Sequence, residues 1–258
     1  MPSSLSVAPR LPLYFTESRY EFLRLLRART YTLVTVGFPL MFYMLFGVVN
    51  SHPSANPLTV SRYLLATYTI FGLVGTSLFG IGATLANERA LGWLEIKRAS
   101  PMPPSAYLVA KLLTAFAFAF IVYGLLLTTA LTLGHVHLSA HEMLRLAGVV
   151  AIGVLPFTSL GLLLALCVPP QAAVGVINLI YLPMSFCSGL WMPIDTLPHW
   201  LQSIAPLWPS YHLAQIALNG IGFPTNGSFG VHLAALALFT CIMLSAAIFV
   251  FRRSSARS

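Results

Sequence analysis

Six long apolar runs divide the sequence, and each contains at most one Lys, Arg, Asp or Glu. They lie at about residues 31–49, 63–86, 107–134, 146–168, 172–190 and 231–251. A helix of about 20 residues crosses a hydrocarbon core of roughly 30 Å, so each run is long enough to span a membrane. Charged residues make up 8% of the chain, against roughly 25% in soluble domains. We predict an all-α integral membrane protein with about six transmembrane helices, in a single domain over residues 1–258.

The positions of the Lys and Arg residues predict the orientation of these helices. Six spans place both termini on one side, and the positive-inside rule assigns that side to the cytoplasm. Arg62 and Arg145 fall on the external side, each at a span end where a long side chain can reach the lipid headgroups. The other twelve are Arg10, Arg19, Arg24, Arg27, Arg29, Arg89, Lys97, Arg98, Lys111, Arg252, Arg253 and Arg257. We therefore expect both termini in the cytoplasm.

The segment before the first span, residues 10–30, has the pattern of an amphipathic helix. Phe15 and Phe22 share one face, whereas Arg24 and Arg27 point away from it. A helix of this kind lies in the membrane interface, and a disordered basic leader is the alternative. The basic residues of the chain lie beside its apolar runs, so we expect lipid headgroups, and no nucleic acid, to bind them.

The acidic residues argue against energy conversion within this chain. They map to predicted interfaces or loops, at Glu17, Glu21, Glu88, Glu95, Glu142 and Asp195. Ion-coupled carriers usually place ionisable groups inside their spans, where an ionised acid costs roughly 2.5–3.5 kcal/mol. A phosphate-binding loop ending in Gly-Lys-Ser/Thr is also missing, because Arg98 and Leu112 follow the two lysines. We assign no catalytic residue, and any ATP must be handled by another subunit.

Residues 87–104 form the main charged insertion between spans. Charged residues occupy its first part, and Pro101, Pro103 and Pro104 end any helix there. We predict a short amphipathic helix with its charges toward water. Such a helix could transmit a movement of a soluble partner to the next span. An ordinary solvated loop is the alternative.

This segment resembles the cytoplasmic loop between spans two and three of the type-2 ABC exporter permeases. The family pattern is close to E-R-E-x-G-T-L-E, then Ser-Pro, then a Lys opening the next span. The residues that match it are Glu88, Arg89, Gly92, Leu94, Glu95, Ser100, Pro101 and Lys111. Ala90 replaces the second acid and Trp93 the threonine. The six-span layout and the amino-terminal helix also fit, so the resemblance covers nearly the whole chain.

A second stretch, residues 188–201 with Pro206, Pro209 and Tyr211, resembles the external segment that precedes the family's last span, which we place at residues 191–230. Its characteristic residues are Gly189, Trp191, Pro193, Asp195, Leu197, Pro198 and Trp200. The resemblance implies short re-entrant helices that cap the pathway, and a plain extracellular loop is the alternative. Asp195 or Thr196 could cap a helix that has Pro198 early in its first turn. Trp191 and Trp200 suit the headgroup zone.

The resemblance implies a permease subunit of an ATP-driven exporter in a prokaryotic inner (cell) membrane. Two copies of an ATP-binding subunit would bind ATP and Mg²⁺, and this chain would hold no cofactor. A second permease subunit, identical or homologous, would complete the substrate pathway for a drug, lipid or glycan. The residues that would contact the ATPase are Glu88, Arg89, Gly92, Trp93, Leu94, Glu95, Lys97 and Arg98. A secondary carrier or channel acting without an ATPase is the alternative.

One asparagine and three histidines are the other candidate functional residues. Asn178 lies deep in the fifth span, where it must find a polar partner, and it could either line the pathway or join two helices. His135, His137 and His141 lie near the outer end of the third span. We predict no metal site there, because Glu142 is the one acid nearby.

Small residues recur every four positions along the second span. They are Gly72, Thr76, Gly80 and Thr84, and together they form a ridge that another helix can approach closely. We predict a packing face within the subunit, and a contact with substrate is the alternative.

Overall fold

The computed structural model describes residues 10–51, 59–93 and 104–255, which form helices and turns without a strand. The helices are α1 (Arg10–Arg27), α2 (Arg29–Val48), α3 (Val60–Ala90), α4 (Pro104–Thr132), α5 (Ala140–Cys167), α6 (Pro170–Cys187), α7 (His199–Ile204), α8 (Pro209–Gly220) and α9 (Phe229–Ser255). Short 3-10 helices lie at Ile194–Thr196 and Ala205–Leu207.

Six of these helices, α2 to α6 and α9, are long and apolar enough to cross a membrane. The predicted fold class is therefore confirmed. Some helices continue beyond the apolar runs, because polar residues at a membrane interface can remain helical. Thr59 caps α3 by accepting a hydrogen bond from the Arg62 amide at 3.2 Å, and Ser139 forms a capping box with Glu142 at the start of α5.

Helix α3 lies at the centre of the molecule, between α2, α4, α5, α6 and α8. In its most apolar stretch 94% of the residues are buried, against 11% in α9. The small-residue ridge makes this possible: a side chain at Gly72 would meet Val122 of α4, and one at Gly80 would meet Tyr31 of α2. The ridge is a packing face within the subunit, as predicted.

Helix α5 approaches the backbone of α3 closely. A Cβ atom added at Gly161 would lie 3.1 Å from the Ser77 carbonyl oxygen and 3.3 Å from the Gly82 amide nitrogen. These neighbours are backbone atoms, so they cannot move aside as a side chain would. Glycine at this position therefore fixes how closely α3 and α5 pack.

A helix before the first span is confirmed as α1, which packs against α4, while its location in the membrane interface stays a prediction. Leu25 is buried, and the ring of Phe22 lies 5.4 Å from that of Phe118. Helix α1 is thus part of the packed structure, and the alternative of a disordered leader is excluded for residues 10–27.

Arg62, at the start of α3, is 6% exposed, so the prediction that it reaches the headgroups is wrong. Its guanidinium donates to the carbonyl oxygens of His137 at 3.1 Å and of Ile221 at 2.6 Å, and it forms an ion pair with Glu142. These acceptors replace the headgroups as partners of the charge. Arg145, by contrast, is exposed.

We expect Gly161→Val to lower the stability of the protein by about 1–3 kcal/mol, the usual cost of overpacking. The thermal unfolding midpoint in detergent measures this effect. Gly148→Val, on the same helix but with no atom within 4 Å, is the matched control and should leave the midpoint nearly unchanged. Equal midpoints for the two variants would contradict the close approach of α3 and α5.

Candidate functional site

Five ionisable side chains meet where α1, the end of α3 and the start of α4 come together. We call them the buried charge cluster: Glu21 and Arg24 of α1, Glu88 of α3, and Tyr107 and Lys111 of α4. The two acids and two bases leave no net formal charge. All but Arg24 are buried.

Lys111 is the centre of this cluster, and it is 2% exposed. Its Nζ atom donates to Glu21 Oε1 at 2.8 Å, to Glu88 Oε1 at 3.1 Å and to Thr84 Oγ1 at 3.2 Å. An ammonium group has three hydrogens, so every donor has an acceptor. The charge is therefore buried without an unsatisfied hydrogen bond.

Arg24 and Tyr107 donate further hydrogen bonds to the carboxylates. Arg24 Nη2 donates to Glu21 Oε1 at 2.8 Å and also to Glu88 Oε1, while the Tyr107 hydroxyl donates to Glu88 Oε2. Partial burial acts to lower the pKa of Arg24, but Glu21 and Glu88 outweigh it and raise that pKa. The guanidinium thus stays charged and bridges both acids.

Near the start of α3, residues 189–207 pack against α3 and α2. Gly189 has φ +74°, and its carbonyl oxygen accepts a hydrogen bond from the Tyr63 hydroxyl at 2.9 Å. The ring of Trp191 stacks on Phe42 with centroids 5.7 Å apart. Leu197 is buried, so this stretch is anchored to the helices by both polar and apolar contacts.

The predicted capping of a helix by Asp195 or Thr196 is wrong. Pro198 itself is the residue before α7, and no side chain caps that helix. The Thr196 hydroxyl instead donates to the Pro193 carbonyl oxygen at 2.6 Å. Asp195 and Trp200 are exposed, which leaves them available to headgroups or solvent.

A cleft of about 470 Å³ opens between α2, α3 and α6. Asn178 of α6 lines it and makes no hydrogen bond to any other residue that the structure describes. The contacts of Asn178 therefore favour the cleft-lining alternative over a bond between helices. Polar groups around the same cleft include Tyr31, Thr35, Thr84 and Asn87.

Comparison with known proteins extends this description. The family model for ABC-2 type transporter matches residues 13–222, from α1 to just beyond α8. The chain belongs to the ABC-2 type transporter family. It is also 28% identical over 226 residues to "Putative transport permease YvfS" of Bacillus subtilis (strain 168), and the alignment covers 86% of this chain and 92% of that protein. With six helices of spanning length, this ABC-2 type transporter is a multi-pass membrane transport permease.

The residues expected to contact an ATPase divide into three groups in this ABC-2 permease. Glu88 is buried in the charge cluster, and Arg89 donates to the carbonyl oxygens of Leu166 and Val168 at the end of α5. The charge of Glu88 faces Lys111 and Arg24, so the prediction that it points to water is wrong, whereas Arg89 is half-buried. Contact of these residues with an ATPase stays a prediction. Gly92, with φ +70°, follows the end of α3, and Trp93 is 49% exposed. Four others lie outside the described residues: Leu94, Glu95, Lys97 and Arg98.

The sequence does not show the charge cluster as a unit. Glu21 and Arg24 belong to the predicted interfacial helix, and Tyr107 begins a predicted span. A signal was present in Lys111, a lone charge within an apolar run, because such a charge needs a buried anion. Which acids supply that anion depends on packing between helices, and no spacing in the sequence reveals it.

We expect Lys111→Met to destabilise the permease by about 3 kcal/mol, because it leaves two buried carboxylates with one cation. This is the lower end of the range for breaking a buried ion pair, since Arg24 still contacts both acids. Adding Glu88→Gln to Lys111→Met restores neutrality and should recover part of the loss. Thermal unfolding of the wild type, Lys111→Met, Glu88→Gln and the double variant measures the coupling between the two positions. Effects of the two single changes that simply add in the double variant would contradict the electrostatic account.

Proposed function

We propose that this chain is the membrane-spanning permease subunit of an ATP-driven ABC exporter. It would act as a dimer with an identical or homologous permease and bind two ATP-binding subunits. Those subunits would hold ATP and Mg²⁺, and the permease would hold no cofactor. We place the protein in a prokaryotic inner membrane with both termini in the cytoplasm. Membership of the ABC-2 type transporter family supports this assignment.

The observation that carries the proposal is the buried charge cluster. Its residues flank the 87–104 segment, with Glu88 at the start of that segment and Lys111 beyond its end. Glu21 brings α1 into the same set of contacts. Because the ion pairs join three helices, a force applied to the loop would move the ends of α3 and α4 together with α1. A soluble motor subunit needs such a connection to act on spans that it does not enter.

The cleft that Asn178 lines supports a pathway between permease subunits. Its two flanking helices have largely uncovered surfaces: 22% of the apolar stretch is buried in α2 and 28% in α6. A second permease subunit would cover these faces and close the cleft. Its walls combine apolar side chains with a few hydroxyl and amide groups, which suits an amphiphilic substrate such as a drug, a lipid or a glycan.

Co-purification tests the proposed coupling to an ATPase. The permease is co-expressed with the ATP-binding subunit encoded beside it, extracted in detergent and purified through a tag on the permease. We expect Glu95→Arg to abolish recovery of the ATPase, because it reverses a charge in the proposed contact segment. Asp195→Arg also reverses the charge of an acid, at an exposed position on the 189–207 stretch and outside the proposed contact segment, and should leave the complex intact.

Two results would contradict the proposal. The first is a well-folded wild-type permease with which no ATPase co-purifies under any condition. The second is ion-gradient-driven flux through the purified chain alone, which would indicate the secondary carrier or channel. Binding that survives Glu95→Arg would remove this residue from the contact but leave the complex established.

A further inference from the structure

Two histidines are in direct contact at the end of the molecule opposite the charge cluster. His212 lies in α8, and His232 lies in the first turn of α9. Their Nδ1 atoms are 2.9 Å apart, which is hydrogen-bond distance, and the ring centroids are 5.2 Å apart. His232 is 4% exposed, so water cannot replace this contact at that ring.

The other nitrogen of each ring faces a backbone carbonyl. His212 Nε2 lies 2.9 Å from the Pro206 oxygen, and His232 Nε2 lies 2.7 Å from the Asn226 oxygen. A carbonyl oxygen only accepts hydrogen bonds, so both Nε2 atoms must carry hydrogen. A neutral imidazole with hydrogen on Nε2 has a bare lone pair on Nδ1.

Counting hydrogens shows what the pair requires. Two neutral imidazoles carry two hydrogens, and both are used by the carbonyls of Pro206 and Asn226. The two Nδ1 lone pairs would then face each other at 2.9 Å, which is repulsive. A third hydrogen between the Nδ1 atoms converts this repulsion into a hydrogen bond. The geometry therefore fits three hydrogens and one positive charge on the pair.

We propose that His212 and His232 form a proton-binding site, in which one shared proton joins α8 to the start of α9. The two carbonyls that orient the rings belong to residues that also line a polar cleft of about 330 Å³. Proton binding would therefore hold the walls of that cleft as well as the junction of the two helices. The proposal does not depend on coupling to an ATPase.

Few other ionisable groups lie near the pair. The Tyr211 ring is 5.6 Å from His212 and 6.1 Å from His232, and Asp195 and His199 line the adjoining cleft. Burial raises the pKa of Tyr211, so this phenol stays neutral. The charges of α5, Glu142 and Arg145, lie near Gly222 and Gly220, at the far end of α8.

The environment disfavours a second extra proton on the pair. Burial lowers the pKa of His212, the Pro206 carbonyl acts to raise it, and a charge on His232 lowers it further, with a net decrease. A second extra proton would place two cations in contact, which is costly at this separation. The folded pair therefore holds one extra proton and resists a second.

The proposal fixes the sign of the pH dependence. In the unfolded chain two histidines of pKa about 6.5 bind one proton between them at about pH 6.5. A folded pair that keeps one proton binds fewer than the unfolded chain below this pH and more above it. Stability thus rises with pH up to about 6.5 and falls beyond it. A pair that is neutral when folded would instead give a stability that rises and then levels off.

The first test uses the full chain in lipid nanodiscs, with thermal unfolding midpoints measured from pH 5 to 9. The wild-type midpoint minus that of the double variant His212→Gln/His232→Gln isolates the pair from other titrating groups, because the variant lacks both histidines in the folded and the unfolded states. We expect this difference to peak near pH 6.5 and to fall by roughly 2–4 °C on either side. His199→Gln, an exposed histidine in the same cleft, is the control and should show no peak. A difference that rises without a maximum would overturn the proposal.

The second test needs no variant to fold. Nitrogen NMR of ring-labelled histidine in the wild-type protein reports which nitrogens carry hydrogen. At pH 6.5 we expect two protonated Nε2 atoms and one hydrogen shared by the two Nδ1 atoms. Two neutral rings with unprotonated Nδ1 signals would overturn the proposal. Neither readout involves the ATPase, so failure here is distinguishable from failure of the exporter assignment.

Discussion

Lys111 brings a positive charge into a helix that is otherwise apolar, and an unpaired buried ammonium costs several kcal/mol. The chain meets this constraint by bringing Glu21 and Glu88 to the same nitrogen from two other helices. Their charges must in turn be balanced, which Arg24 does from the half-exposed side. The position of α1 against α4, and the geometry at both ends of the 87–104 segment, therefore follow from burying one lysine.

Helix α3 is fixed at its two ends by buried charges and along its length by small residues. Arg62 pairs with Glu142 at the first end, and Glu88 pairs with Lys111 at the last. Between them, glycines let α2, α4 and α5 approach closely enough to cover nearly the whole surface. An element held in this way moves as a unit, which suits the transfer of a displacement from one face of a membrane to the other.

The fold could be predicted because its signal is local. Each apolar run identifies its own helix, and Thr59 and Ser139 mark helix starts by ordinary capping chemistry. The partners of charged residues could not be predicted, because Arg62 meets Glu142 and Lys111 meets Glu21 only after the helices have packed. The same reason explains why Glu88 is buried, although its motif predicts an exposed charge. The depth of Asn178 in its span could be predicted, but the cleft that it faces could not.

Distances measured by pulsed electron spin resonance test most directly whether the charge cluster makes α1 and the end of α3 one moving unit. Spin labels at exposed Tyr20 and Trp93 report on that unit, and a label at exposed Ile248 of α9 provides a reference, after replacement of the three native cysteines. On ATP-analogue binding to the assembled complex, we predict an unchanged distance between positions 20 and 93, with both distances to position 248 altered. A distance between positions 20 and 93 that changes or broadens with nucleotide would contradict the account.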